Sequence, residues 1–281
     1  MTKRAATILF LFAVATVILF ALFSALYRVE SPVFTRNEPT VSLSASAIIP
    51  TENRLYEYVE VVGGCGPYYS GECLHVHSGP GESYPVVTDL RNGIVLAVDE
   101  TVAANDGSLW HKIIFNEWLR YPNRIATPLY VPSNGTRFFA DTGNHELTSL
   151  EGIFPASSKR IIVSRTKQKL YAYDGNTLFM EQTVSTGLEL TPTPRGEFII
   201  YRKTPTRYMQ GPLPGISDQY YDLPGVPWNL YFTKEGGVIH GAYWHDKFGQ
   251  RWSHGCVNLP LDAAQKLYEW AEVGTRVIVE D

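Results

Sequence analysis

Short runs in which apolar and polar residues alternate, each ended by a turn-forming pair, recur along most of this sequence. Alternation with a period of two is typical of strands that bury one face. In the first half of the chain these runs are residues 58–62, 86–90, 94–98 and 110–115. Asn92-Gly93 and Asp106-Gly107 lie between runs, and such pairs favour the tight turns of β-hairpins. The pattern predicts a small β-barrel over residues 54–132.

The same pattern returns after residue 157 and predicts a second, mainly β domain over residues 157–281. Its strand-like runs are residues 160–164, 169–173, 178–185, 198–202 and 276–280, with a hairpin turn at Asp174-Gly175. Residues 261–272 instead show the helical period, and Gly274 is placed to end that helix. Two polar stretches with scattered Pro, Gly or Ser, residues 29–53 and 133–156, predict linkers.

An apolar run at residues 5–27 sets the expected location of the protein. Lys3 and Arg4 precede this run and Arg28 follows it, and about 20 apolar residues suffice to cross a bilayer as a helix. By the positive-inside rule, residues 1–28 predict a single-pass membrane anchor with the rest of the chain outside the cytoplasm. A cleaved signal peptide is the alternative, although the run is longer than the apolar core of most signal peptides.

Composition and cysteine usage narrow the possible functions. A hydrophobic fraction of 44% is sufficient for packed cores, and a net charge of −4 without a basic stripe argues against a nucleic-acid partner. Because neighbouring thiols tend to be oxidised outside the cytoplasm, Cys65 and Cys73 predict a disulfide, with two reduced buried thiols as the alternative. Cys256 is then unpaired, and it is either a buried apolar residue or a reactive thiol.

The sequence around Cys256, Ser-His-Gly-Cys-Val-Asn, favours a reactive thiol. An unperturbed thiol has a pKa of about 8.5, so it needs a base to become a nucleophile at neutral pH. His240 ends an apolar run that predicts a strand. Its ring needs a group to orient it, and a main-chain carbonyl is expected because no Asp or Glu precedes the motif at a spacing that would suggest this role. His254 is the rival base, but its position two residues from the thiol makes the angle for proton transfer hard to arrange.

Gly255 adds a second element to this predicted site. A glycine directly before the nucleophile would let the N–H groups of Gly255 and Cys256 converge on a developing oxyanion. A metal site is the alternative use of the same ligand types, His240, His245, His254 and Cys256. Their spacings match no common zinc pattern, so neither a metal nor a cofactor is expected.

His240, a spacer of twelve residues, and then Ser253 to Asn258 together resemble the signature of the L,D-transpeptidase catalytic domain, or YkuD-type family. Residues 160–173 and 186–198 are also similar to that family. The resemblance covers residues 157–281 and implies a β-sandwich-like catalytic domain with one C-terminal helix. It further implies that Cys256 is the nucleophile, that His240 is the general base, and that the Gly241 carbonyl holds the imidazole.

The resemblance implies roles for the rest of the motif as well. His254, Gly255 and Cys256 would form the oxyanion pocket, Ser253 belongs to the same signature, and Asn258 would brace the loop. Four further residues are candidates for the substrate cleft, with packing or a plain surface position as the alternative: Trp228, Tyr231, Trp244 and His245.

Members of this family act on the stem peptides of peptidoglycan in cell-wall remodelling, and they use no cofactor. The implied reaction acylates the cysteine with a tetrapeptide stem, expels the terminal D-Ala, and passes the acyl group to the amine of a second stem. Three alternatives remain open at this point: an L,D-carboxypeptidase, a cysteine peptidase or amidase, and a wall-binding protein without catalysis. The implied location is a bacterial cell membrane, with the catalytic domain in the periplasm or cell wall.

Residues 74–87, LHVHSGPGESYPVV, resemble the repeat of bacterial SH3-like domains. This similarity implies an SH3-like barrel with wall glycan or peptide as its partner. His75 and His77 replace the usual Asn and Arg of the repeat, which weakens the inferred ligand. The two histidines would share one face of a strand, either as a binding surface or as two solvated side chains.

Overall fold

Strands dominate the computed structural model, which describes residues 55–126, 128–146, 157–215 and 217–281. These described residues all belong to one compact unit, residues 52–281. The predicted mainly β fold with one C-terminal helix is confirmed for this part of the chain.

The first sheet has seven antiparallel strands in the order β3-β2-β6-β5-β4-β1-β7. The strands are β1 (Tyr56–Val61), β2 (Leu74–His77), β3 (Val86–Leu90), β4 (Val95–Ala103), β5 (Leu109–Ile114), β6 (Leu129–Pro132) and β7 (Thr136–Asp141). The predicted disulfide between Cys65 and Cys73 is confirmed, and it closes the loop after β1. The SH3-like nature of residues 54–132 stays a prediction.

The sheet extends beyond the predicted boundary at residue 132. Strand β7 pairs with β1 along its whole length, from Tyr56 opposite Asp141 to Val61 opposite Thr136. Part of the segment predicted as a linker over residues 133–156 is therefore sheet, because its polar side chains lie on an edge strand where solvent reaches them.

Two five-stranded sheets form the second half of the chain. One has the order β11-β10-β9-β17-β12, and the other β16-β15-β14-β13-β8. The first contains β9 (Lys159–Ser164), β10 (Lys169–Asp174), β11 (Thr177–Thr183), β12 (Gly196–Ile199) and β17 (Arg276–Glu280), and the second β8 (His145–Glu146), β13 (Arg202–Leu213), β14 (Ser217–Tyr231), β15 (Val238–Gly241) and β16 (Val257–Leu259). The chain changes sheets between β12 and β13, where the sequence pattern predicted one strand over residues 198–202.

The helix α1 (Leu261–Trp270) lies against β14 and β15. It buries one face, formed by Ala263, Ala264, Leu267 and Tyr268. Its predicted position is confirmed, although it ends two residues earlier than the pattern indicated. The chain then turns at Gly274, whose φ of +95° is a conformation that glycine adopts without steric cost.

The first sheet shares a core with the second half of the chain. Tyr58, Val95 and Ala97 belong to the same buried cluster as Trp228 and Tyr268. The Thr206 hydroxyl on β13 also donates a hydrogen bond to the Val95 carbonyl on β4. Because apolar surface from both parts is removed from water together, the seven-stranded sheet holds the β13–β14 hairpin in place.

The predicted transmembrane helix and single-pass membrane location are corrected. Within the described residues no helix is both long and apolar enough to cross a bilayer. The helix α1 has ten residues and so extends about 15 Å, half of the ~30 Å apolar core of a membrane. The apolar run at residues 5–27, on which the prediction rested, lies outside the described residues.

Candidate functional site

The predicted base, His240, lies on β15 and is fully buried. Its Nδ1 is 3.0 Å from the main-chain oxygen of Gly241, so this ring nitrogen carries the proton and donates it to that carbonyl. The other nitrogen, Nε2, is buried and has no hydrogen-bond partner among the described residues. A neutral ring held in this way presents an unprotonated Nε2, which is the atom a general base needs.

Cys256 directly precedes β16, the strand that pairs in parallel with β15. The register places Ile239 opposite Val257 and His240 opposite Asn258, so Cys256 lies at the start of the strand that neighbours the one carrying His240. Both side chains line one cavity of about 580 Å³. The thiol donates to the Gly236 carbonyl at 3.7 Å, and rotation about Cα–Cβ would turn it away from that oxygen.

Burial keeps both groups neutral at rest. It lowers the pKa of His240 to about 4, although the hydrogen bond to Gly241 opposes the shift and the positive charge of Arg207 adds to it. Burial raises the pKa of the Cys256 thiol, while Arg207 and the Val238 N–H pull it down. At neutral pH the thiol and the imidazole that line this cavity are therefore both uncharged.

The turn before Cys256 is fixed by Ser253. Its hydroxyl donates to the Cys256 carbonyl at 2.5 Å and accepts the Gly255 N–H at 3.1 Å. The structure thus directs the Gly255 N–H to Ser253, although the sequence suggested it as an oxyanion donor. The N–H groups of His254 and Cys256 have no hydrogen-bond partner among the described residues, so they are the main-chain donors left on this turn.

Asn258, which lines the cavity, is in hydrogen-bond contact with His245. The Asn258 amide lies 2.8 Å from His245 Nε2, and the Lys247 N–H donates to Nδ1 of the same ring at 3.1 Å. His245 is almost fully buried, and burial lowers its pKa to about 4. It is not among the residues that line the cavity, so its place is beside the site, where it supports Asn258.

The aromatic candidates for the substrate cleft divide into two groups. Tyr231 and Trp244 line the cavity. Trp228 does not, because it is only 4% exposed and its ring contacts Phe139 and Tyr268 in the core. The structure therefore brings two of these three aromatic side chains to the site.

The rival base, His254, lines the same cavity. Its ring stacks on Tyr221 of β14, with ring centroids 6.3 Å apart. His254 is half-buried, whereas His240 is fully buried and held by a carbonyl.

A segment after β5 forms part of the cavity wall, and sequence analysis missed it. Glu117, Trp118 and Arg120 line the cavity although they come more than 100 positions before the thiol. The segment is tied to β13 because Gln210 accepts the Tyr121 N–H at 2.8 Å and donates to the Tyr121 carbonyl at 3.1 Å. No local pattern could have signalled a contact at this sequence separation.

The sequence also matches known proteins over the part that carries this site. The family model described as the L,D-transpeptidase catalytic domain, YkuD, matches residues 158–279. A YkuD protein of Bacillus licheniformis, described as a candidate L,D-transpeptidase, is 28% identical over 123 residues, which are 43% of this chain and 64% of that protein. This chain thus spans less than two thirds of that relative. The matches support a YkuD-type L,D-transpeptidase catalytic domain, as the sequence motif predicted.

Solved structures of L,D-transpeptidases are also similar to parts of this chain. A mutant of the Enterococcus faecium enzyme has a TM-score of 0.40 and 26% identity, and the match covers 43% of this chain and 49% of that one. L,D-transpeptidase 3 from Mycobacterium tuberculosis has a TM-score of 0.43 and 20% identity, and the match covers 66% of this chain and 98% of that one.

Proposed function

We propose that the protein is a cysteine-dependent L,D-transpeptidase that acts on the stem peptides of peptidoglycan. The observation that carries the proposal is that Cys256 and His240 line one cavity, with His240 on β15, Cys256 directly before the parallel neighbour β16, and Nε2 of His240 without a hydrogen-bond partner among the described residues. The family match over residues 158–279 supports the same chemistry.

In the first step the thiol attacks the carbonyl carbon of the donor's third residue while its proton passes to His240 Nε2. The negative charge that develops on the carbonyl oxygen would be stabilised by the N–H groups of His254 and Cys256. When the tetrahedral intermediate collapses, the carbon–nitrogen bond to the terminal D-residue breaks, and His240 returns the proton to the departing amine. The product is a thioester on Cys256.

In the second step an amine of another stem attacks the thioester. His240 accepts the amine proton, and the carbon–sulfur bond breaks as the new amide bond forms. The sulfur then regains its proton. Water in place of the amine would give a shortened stem, which is a carboxypeptidase outcome of the same intermediate.

The full chain incubated with a tetrapeptide stem is expected to gain the mass of the stem minus the mass of the free D-amino acid that is released. Adding an amine acceptor is expected to convert that acyl-enzyme to an amide-linked product. The measurement is intact mass together with quantification of the released residue. A matched stem ending in the L-residue serves as the control and is expected to give no adduct. Equal adducts from both stems, or none from either, would contradict the proposed function.

Gly255→Ala is expected to lower the acylation rate roughly 10²- to 10³-fold, the effect of losing one oxyanion donor. Gly255 has a φ of +117°, and an added Cβ would meet no atom closer than 3.9 Å. The cost is therefore backbone strain, which would rotate the turn and move the neighbouring Cys256 N–H. The measurement is the rate of adduct formation.

Gly274→Ala provides the control for this change. Gly274 also has a positive φ, an added Cβ there meets nothing within 4 Å, and the residue lies outside the cavity. It should lose stability without losing acylation rate. Equal rate losses in the two variants would mean that strain alone, and not the turn at Cys256, caused the effect.

A further inference from the structure

Arg207 lies on β13 opposite Val226 and lines the same cavity as Cys256. Its guanidinium is close enough to the thiol to lower the pKa of that group. A positive charge at this position is therefore within reach of whatever peptide the thiol attacks.

The Arg207 guanidinium is incompletely satisfied within the described residues. Its Nη1 is buried and has no hydrogen-bond partner there. The Tyr231 ring lies beneath the guanidinium, 5.5 Å from its centroid. Glu117 interacts with Arg207 electrostatically and its carboxylate accepts the Tyr208 N–H, but within the described residues the two side chains form no ion pair. Leaving a charged donor buried and unpaired is costly, so this nitrogen points to a missing acceptor.

Of the other two arginines that line the cavity, Arg202 has a side-chain hydrogen-bond partner and Arg120 is exposed to solvent. Arg202 donates from Nε to Asn144 at 2.7 Å and stacks on Tyr231, and Arg120 lies over Trp118. A planar guanidinium fits a carboxylate with two parallel hydrogen bonds, and of these three side chains Arg207 is the one with a buried N–H free to form them.

We propose that Arg207 is a specificity-determining residue that binds a carboxylate of the peptide held at Cys256. A stem peptide offers this group in two places near the scissile bond, namely the α-carboxylate of the terminal D-residue and, in stems with a diaminopimelate third residue, the carboxylate of that side chain. Assigning the carboxylate to a stem peptide rests on the proposed function. The acceptor site itself rests on the cavity and on the unpartnered Nη1.

The test measures binding without turnover. The full chain with Cys256→Ala is titrated calorimetrically with four tetrapeptides, whose second-residue α-carboxylate is blocked as an amide. They combine a terminal acid or terminal amide with lysine or diaminopimelate as third residue. We expect about 10- to 100-fold tighter binding where the recognised carboxylate is present, the range of a charged hydrogen bond. Arg207→Gln in the same background is expected to abolish that preference.

The two pairs of peptides identify the source of the carboxylate. A difference between terminal acid and amide assigns the terminal residue, and a difference between lysine and diaminopimelate assigns the side chain. Arg276→Gln, which removes an arginine that pairs with Glu197 outside the cavity, is expected to keep the preference. If Arg207→Gln folds poorly, the affinities of the protein that contains Arg207 for the acid and amide peptides still test the proposal.

The proposal would be overturned if the protein that contains Arg207 bound all four peptides equally well. It would also be overturned if that protein bound none of them. If Arg207→Gln weakened the binding of all four peptides equally, the proposal would also be overturned. Arg207 would then affect binding only through its general positive charge and not by recognising one carboxylate. Acylation of the unmodified chain is measured separately. If the protein prefers the carboxylate but forms no acyl adduct, the Arg207 binding site would stand and the proposed transpeptidase function would be wrong.

Discussion

Cys256→Ala is expected to abolish the acyl adduct, with no detectable mass increase after incubation with a tetrapeptide stem. The thioester requires the sulfur, and the hydroxyl groups described near Cys256 are poor substitutes for it. Ser253 is the closest hydroxyl in sequence, but its proton is donated to the Cys256 carbonyl and its oxygen accepts the Gly255 N–H. Intact mass after a fixed incubation is the measurement.

The phenols of the cavity are poor substitutes as well. Burial raises the pKa of Tyr221 and of Tyr208, so both are neutral at pH 7 and weak as nucleophiles. Cys256→Ser is the matched variant, because it replaces the thiol by a hydroxyl of similar size, which is a weaker nucleophile and is also expected to give no adduct. An adduct of unchanged mass and yield in Cys256→Ala would refute the assignment of the nucleophile.

The placement of Cys256 and His240 around one cavity could be anticipated from the sequence because the signal at each residue was local. The apolar run at residues 237–240 predicted a strand, and the observed strand β15 is Val238–Gly241. The expectation that a main-chain carbonyl would orient the ring agrees with the 3.0 Å contact to Gly241. The disulfide was also predictable, because its two cysteines are eight positions apart in a turn-rich segment.

The walls of the cavity could not be predicted in this way. The hairpin of β13 and β14 carries Pro205, Pro212, Pro224 and Pro227, and proline in a run argues against an interior strand. Arg207 lies on this hairpin, so its position was missed. Trp228 was a candidate for the cleft, but it lies in the core. The sequence could not decide this, because an aromatic residue on a strand can face either side of the sheet and its position alone does not show which side.

His240→Gln is expected to lower the acylation rate about 10²- to 10⁴-fold, the contribution of a positioned general base. Glutamine has a similar length but cannot accept a proton from the thiol. His254→Gln is the control for the rival imidazole and is expected to have a much smaller effect, because His254 is not held by a carbonyl and stacks on Tyr221. Loss of acylation in His254→Gln with activity retained in His240→Gln would mean that His254 is the base.

The pH dependence separates a base from a merely structural histidine. With His240 present, its pKa of about 4 leaves the imidazole unprotonated across pH 5 to 8, so the rate should be nearly flat there and fall only as the pH drops through about 4. Without the base, attack depends on free thiolate. Because the pKa of Cys256 is raised, the thiolate fraction increases about tenfold per pH unit through neutrality. His240→Gln should therefore show a rate that climbs with pH, and a flat profile in that variant would exclude His240 as the group that takes the proton.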